Sequence, residues 1–499
     1  MKMVKSLLLG SAAGLVAVAG AQAADLPLKA KPVEYVKVCS IYGAGFYYIP
    51  GTDTCIKVGG YVRLDVGILA GGSHAPYVNG ANGRDSRDVN NYQTRVRGIV
   101  SWDARTQTEY GTLRAYINAG WELNTNDPNY RGFDNQFFYR AFIQFAGLTV
   151  GKTQSFFGFY NNSLNYTTLL GGGQSDAGLN LVAYTAQFGG GFSATIALED
   201  AAHHRAGLWD VVENGLTIGA IPGGAGPAYG DYRGTTYPDI VGNLRVDQPW
   251  GSAQIAAAIH DVAGLYVGPD ALGASAGNAT GWAVMGGVKF NLPWAQGDEF
   301  WVEGTWARGA ANYLGLNPFV HASGQWATYD GGRPVGGCPA FPGSCGRFAG
   351  AWFLDGVFDG NGVSLTEGWS ILAAVQHYWT PSLRTSVFGH WTELRFPGDA
   401  RTKFCAGASL GGGTAVIAPI NCNPDFNILQ IGTRTIWSPV RNLDIGVEVL
   451  YTRLDQKFTN NGGPGWSLSA QGSRPGGFYE AHDQDVWSGT VRFQRNFWP

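Results

Sequence analysis

Residues 39–66 read CSIYGAGFYYIPGTDTCIKVGGYVRLDV. Two cysteines bracket a loop of glycines and aromatics, and after Cys55 the chain alternates. Ile56, Val58, Val62, Leu64 and Val66 fall on one parity, while Lys57, Tyr61, Arg63 and Asp65 fall on the other. Side chains of a strand point to opposite faces in turn, so a period of two predicts a strand with one oily and one wet side. The fold depends on which side meets which medium.

The pattern recurs to the end of the chain. Alternation predicts sixteen strands: 56–68, 92–105, 109–122, 136–146, 148–157, 181–188, 192–200, 239–248, 252–262, 281–291, 299–310, 368–379, 383–396, 426–437, 442–455 and 486–497. Links after even-numbered strands are short, from the single Gly147 to the seven residues 292–298. Links after odd-numbered strands are long, and the longest is 311–367. An even meander with short turns at one end and long loops at the other is the pattern of an outer-membrane barrel. A soluble antiparallel sheet also alternates, so the tryptophans matter. Trp102, Trp250, Trp294, Trp379, Trp437 and Trp498 lie at or near the short-turn ends, and Trp121, Trp306 and Trp391 toward the long-loop ends. Two belts match the interfacial girdles of a lipid-facing barrel.

The expected fold is therefore all-β: a 16-stranded antiparallel transmembrane β-barrel with apolar residues toward lipid and polar ones toward a watery bore. Val96, Val100 and Trp102 oppose Arg95, Arg97 and Asp103; Leu113, Ala115 and Ile117 oppose Arg114, Tyr116 and Asn118. Ala351–Phe358 within the longest link could be an additional strand, but a long loop folded on itself is the preferred reading.

Composition agrees. The chain has 75 glycines, 13% aromatic and only 14% charged residues, which fits strands and turns better than a helical enzyme. Its net charge of −3 gives no basic domain for nucleic acid. The opening MKMVKSLLLGSAAGLVAVAGAQA reads as a signal peptide over residues 1–23, too short in its apolar run for a helical span. Residues 24–55 are then an N-terminal periplasmic or loop segment, and residues 56–499 the barrel. Removing Lys2 and Lys5 with the signal would take the charge from −3 to −5. Export to an oxidising compartment makes disulfide candidates of Cys39, Cys55, Cys338, Cys345, Cys405 and Cys422. Six cysteines allow 15 pairings; proximity favours Cys39–Cys55, Cys338–Cys345 and Cys405–Cys422. None of these pairs has zinc-knuckle spacing, and neither a metal nor a cofactor is expected.

A pore selects by width and by the charges at its narrowest point. Arg63, Arg95, Arg97, Arg114 and Arg140 all fall on the wet parity, where they avoid the ~2–4 kcal/mol cost of a mid-bilayer arginine. The third long link, Gly158–Asn180, is rich in Asn, Thr and Gly and carries one charge, Asp176. It is expected to fold inward as the constriction, so that the arginines face Asp176, Asp65 and other carboxylates across a transverse field. Arg245, Arg384 and Arg434 are candidates on the far wall, and Lys152 breaks its strand's pattern. Gly407–Gly411 matches the hydrolase G-x-S-x-G elbow, but that motif needs a strand before it and a helix after it. The pair His203–His204 is expected to be solvated.

The block CSIYGAGFYYIPGTDTCIKVGGYVR, preceded by ADLPLKAKPVEYVKVC, resembles the start of the general diffusion porins of alphaproteobacteria. GWSILAAVQHYWTPSLRTSVFGHW is similar to their late hairpin, and VRFQRNFWP to their ending. The resemblance spans essentially the whole mature chain. It implies a homotrimer in the outer membrane, in contact with lipid and lipopolysaccharide. It also implies an inward third loop at Gly158–Asn180 facing a basic wall of Arg63, Arg95, Arg97, Arg114 and Arg140. Small hydrophilic solutes and ions would pass passively, with no catalysis. The ending departs from the wider pattern, because Phe497 is followed by Trp498 and Pro499. A substrate-selective channel of the same fold, or a surface adhesin using the long loops, are the alternatives.

Overall fold

The computed structural model of the chain describes residues 37–68, 92–124, 135–166, 178–210, 232–264, 277–316, 325–329, 345–359, 361–409, 420–460, 466–468 and 477–497. The candidates Asp176 and Cys338, and the proposed signal segment, lie outside these residues. Sixteen strands form the wall: β1 (Cys55–Ile68), β2 (Tyr92–Thr108), β3 (Gly111–Asn124), β4 (Asn135–Phe145), β5 (Leu148–Thr153), β6 (Leu179–Gly189), β7 (Phe192–Glu199), β8 (Asp239–Gln248), β9 (Gly251–Ala263), β10 (Asn278–Asn291), β11 (Glu299–Arg308), β12 (Glu367–Thr380), β13 (Leu383–Arg395), β14 (Phe426–Val440), β15 (Leu443–Gln456) and β16 (Gln484–Asn496). Each is antiparallel to the next. The last pairs with the first, Tyr61–Ile68 against Asn496–Gly489. Closure follows from the solvent: an unpaired backbone group in hydrocarbon costs several kcal/mol, and a closed sheet leaves no edge.

The alternation resolves as expected. Val62, Val96, Ile117, Ile196, Leu244, Ile255 and Val447 point outward, each 40–60% exposed. Their polar neighbours in sequence turn inward, and Asp65 is fully buried. A continuous apolar exterior of this kind requires lipid. Trp102, Trp250, Trp294, Trp379 and Trp437 stand exposed at the short-turn end, with Trp121 and Trp306 toward the other. The β4–β5 hairpin turns on Ala146 (φ 49°) and Gly147 (φ 88°), the positive-φ pair of a two-residue turn. A Cβ at Gly147 would also lie 2.8 Å from the Thr185 carbonyl.

Two expectations are corrected here. Strand five ends at Thr153, not Phe157, so the third link enters the bore four residues sooner. Gly151 takes a left-handed φ of 127°, and Phe157 buries itself against Tyr313, ring centroids 4.6 Å apart, rather than continuing the ladder. His204 is not solvated: it is buried, with Nε2 2.7 Å from Glu199 and its ring stacked on Tyr313.

The long links build a layer of their own. Cys345–Trp352 and Gly356–Asp359 are strands, but they join small sheets with Gln325–Tyr329, Gly362–Leu365, Leu208–Asp210 and Gly477–Ala481 rather than the wall. The long link therefore folds on itself and on its neighbours. Residues of the G-x-S-x-G match end an 11-residue helix, Asp399–Ser409, which is the reverse of the context a nucleophile needs. Disulfides join Cys39 to Cys55 and Cys405 to Cys422, two of the pairs that proximity favoured.

Candidate functional site

The third link runs along the inside of the barrel, and wall side chains hold it by its main chain. Glu199 of β7 accepts the Phe156 amide at 2.9 Å. Asn243 of β8 and Gln254 of β9 donate to the carbonyls of Phe156 (2.7 Å) and Phe157 (3.1 Å). Glu303 of β11 accepts the amides of Phe159 (3.2 Å) and Tyr160 (2.8 Å). Ser386 of β13 donates to the Leu164 carbonyl at 2.6 Å, and Glu448 of β15 accepts the Tyr166 amide at 2.5 Å. The tethers advance around the wall as the loop advances in sequence, so residues 154–166 line one side of the bore from β7 to β15.

Glycines in the wall make room for the loop. A Cβ at Gly287 would lie 2.6 Å from the Phe159 ring, and one at Gly446 would overlap the Tyr166 hydroxyl. Phe159 and Tyr160 pack on Trp301, with centroids 5.0 and 5.6 Å away. Tyr166 sits between guanidiniums, with Arg492 3.9 Å and Arg434 5.1 Å from its ring centre. Burial pushes its hydroxyl above the usual range, so a neutral phenol faces the two cations.

The remaining side, β16 and β1–β4, carries the arginines, with Arg492 of β16 against Tyr166 at its edge. Register sets them side by side: Arg63 opposite Arg97 and Gln494, Asp65 opposite Arg95 and Arg492, Arg97 opposite Glu122. Asp65 accepts from Arg95 at 2.8 Å and from Arg492 at 2.6 Å. Glu122 accepts from Arg97 Nε at 2.8 Å and lies 3.9 Å from Arg95. Asp103 accepts from Arg105 at 2.7 Å and from Arg114 at 3.0 Å. Each carboxylate is thus shared by two guanidiniums. Arg97 also bonds the Tyr139 hydroxyl. Arg63 is different: its Nε donates to Gln494 at 2.8 Å and its guanidinium lies 4.5 Å from the Tyr61 ring centre, with no carboxylate in ion-pair range among the described residues. Arg140 turns inward at a bulge between Asn118 and Ala119 of its partner strand and donates to the Tyr139 carbonyl at 2.8 Å.

All five arginines read from the sequence therefore reach one wall. Asp65 does not face them across the bore; it lies among them, because its register partners are Arg95 and Arg492. Of the far-wall candidates, Arg245 pairs with Asp247 and Arg384 with Asp444 near the short turns; Arg245 also lies 5.4 Å from the ring centre of Phe159 in the loop, and Arg434 meets the loop at Tyr166. Sequence reading missed Arg492, Glu122, Glu303 and Tyr166. Parity alone could have added Arg492, Glu122 and Glu303 to the inward set. Nothing local marks Tyr166. Among the described residues no group of His, Cys, Asp and Glu is arranged to hold a metal.

Comparison with known proteins agrees with this geometry. A family described as "Porin subfamily" matches residues 25–490. Porin Omp2b of Brucella suis is 35% identical over 260 residues, half of this chain and 64% of the relative's own length. Porin Omp2a of Brucella melitensis is 31% identical over 338 residues, 58% of this chain and 82% of the relative. The outer membrane channel DcaP of Acinetobacter baumannii is similar in fold, with a TM-score of 0.58 at 13% identity, covering 90% of this chain and 99% of that one. A closed, lipid-facing barrel with a tethered inward loop, and a family match over nearly its whole length, make this chain a member of the porin subfamily, residing in the outer membrane.

Proposed function

We propose that the chain forms a passive, water-filled channel through which small hydrophilic solutes and ions diffuse across the outer membrane, with no catalytic step. The observation that carries this reading is the divided bore: residues 154–166 cover one wall and an arginine-rich wall stands open opposite. Its parts would be residues 1–23 as signal, 24–55 as the periplasmic segment and 56–499 as the barrel. Arg63, Arg95, Arg97, Arg114, Arg140, Asp65 and Asp176 would line or border the constriction. Reconstitution into planar bilayers tests the function; steady ohmic conductance with little solute block is expected, and its absence would leave an adhesin as the better account.

A substrate-selective channel is the second reading. Tyr116 and Phe142 stack at 5.2 Å, and Phe137 meets Tyr139 at 4.8 Å, on the same wall as the arginines. Saturable block by one sugar or oligomer would favour it. Assembly as a homotrimer is supported by Lys152, which register places beside Ala141 and Asn180 on the outward parity. A lysine facing lipid costs ~2–4 kcal/mol at the midplane, a cost that a partner subunit over this face would remove. The long loops would meet lipopolysaccharide.

A further inference from the structure

We propose that the bore prefers anions over cations and that Arg63 is the residue that sets the preference. This deepens the channel reading and rests on it. Charges of both signs point inward, so the sequence alone leaves the sign open. The structure separates charges that face the bore from charges already committed.

On the open wall, β16 and β1–β4 turn eight cations inward, Lys57 and seven arginines, against the three carboxylates Asp65, Asp103 and Glu122; eight minus three leaves +5. Five guanidiniums on three carboxylates account for two of these charges, and Lys57, Arg63 and Arg140 for the other three. On the far wall the carboxylates are more numerous but are not offered to the bore. Asp247, Asp444 and Glu299 are matched one to one by Arg245, Arg384 and Lys289. Glu199, Asp239, Glu303 and Glu448 are buried, at most 4% exposed. Glu199, Glu303 and Glu448 hold amides of the third link, with Glu199 also bonded to His204; Asp239 holds His260. Positive ends of amide dipoles and imidazoles turned at these carboxylates oppose their charge; the third link lies over Glu199, Glu303 and Glu448, and Tyr313 donates to Asp239. Residues 167–177 carry one formal charge, Asp176, too few to reverse +5.

Arg63 stands out within the surplus. Its cross-strand neighbour is another arginine, Arg97, and like charges directly opposite on a sheet are destabilising. Arg97 has Glu122; Arg63 has only the neutral Gln494. Such a site is satisfied by an anion from solution. A guanidinium with free donors beside other cations concentrates chloride or a small carboxylate or phosphate at that height and raises the barrier for potassium.

The test is the zero-current potential across a planar bilayer in a potassium chloride gradient. The wild type is expected to pass chloride more readily than potassium. Arg63→Gln should lower the chloride-to-potassium permeability ratio about two- to fourfold, the effect of one unit charge at roughly a Debye length from the ion path. Arg63→Lys should retain the ratio. Gln494→Glu, which places a carboxylate on Arg63 without removing it, should lower the ratio as Arg63→Gln does and gives the answer if that variant fails to assemble. Cation preference in the wild type overturns the proposal, as does a ratio unmoved by both Arg63→Gln and Gln494→Glu. A wild type with no conductance would instead remove the channel reading, and this proposal with it.

Discussion

Replacing Glu303 with alanine should loosen the third link without unfolding the barrel. Glu303 lies in the middle of β11, is 4% exposed, and accepts two consecutive loop amides at 3.2 and 2.8 Å. Hydrogen bonds to a charged acceptor contribute ~1.5–3 kcal/mol each. Two such bonds would amount to about 3–6 kcal/mol in a dry site. This site adjoins water, which can enter the space left by the side chain and take over the amides, so a net loss of about 2–3 kcal/mol is expected. At 1.4 kcal/mol per tenfold, the population of loops detached at this point rises about 30- to 140-fold. Asn243, Gln254, Ser386 and Glu448 remain as tethers, so the attached state still dominates and the change shows as brief excursions. Single-channel records should gain short substates of higher conductance in Glu303→Ala and few in Glu303→Gln, whose amide carbonyl still accepts. Heat-modifiable gel mobility would show that the barrel had folded. An Ala variant with normal mobility and wild-type current noise would refute the reasoning.

Gly446→Val should push Tyr166 out from between Arg492 and Arg434, since even a Cβ at that position overlaps the tyrosine hydroxyl; a changed open-channel conductance in a folded barrel is the expected record. Leu244→Arg, at an outward position 55% exposed, should cost ~2–4 kcal/mol if it lies at the bilayer midplane, read from urea titration of folding into vesicles. Cys39→Ser opens a disulfide of sequence separation 16, worth ~3 kcal/mol for a loop of that length. Residues 37–54 should become protease-sensitive while the sixteen-strand wall persists.

The wall was legible because a membrane barrel writes its rule into every strand. With lipid outside and water inside, Val62 and Arg63 must differ in kind, and a one-residue slip would exchange them. Link lengths carried the direction of the meander. Strand five was misread at its end because Ser155 and Phe156 continue the alternation of Thr149 and Val150 while the chain has already left the ladder for the bore. Site residues were legible as a set but not as a geometry. Parity places Asp65 and the arginines in the bore, whereas pairing across β16, β1 and β2 decides that Asp65 lies between Arg95 and Arg492. That contact joins residues more than four hundred positions apart, which no local pattern encodes. Parity places Glu303 and Glu448 in the bore, but their role as tethers was illegible for a related reason: their partners are backbone amides, which carry no sequence mark. His204 looked like loop surface because Tyr313, the ring that covers it, comes from a different long link.

Spin labels at Ile117 and Asn118, one at a time, in the reconstituted protein test the central claim most directly, since these neighbours on β3 belong to opposite parities. Ile117 should be relaxed by oxygen dissolved in the acyl chains and protected from a water-soluble nickel chelate, and Asn118 should show the reverse. A label at Ile117 that meets the chelate, with one at Asn118 that meets lipid, would contradict the account.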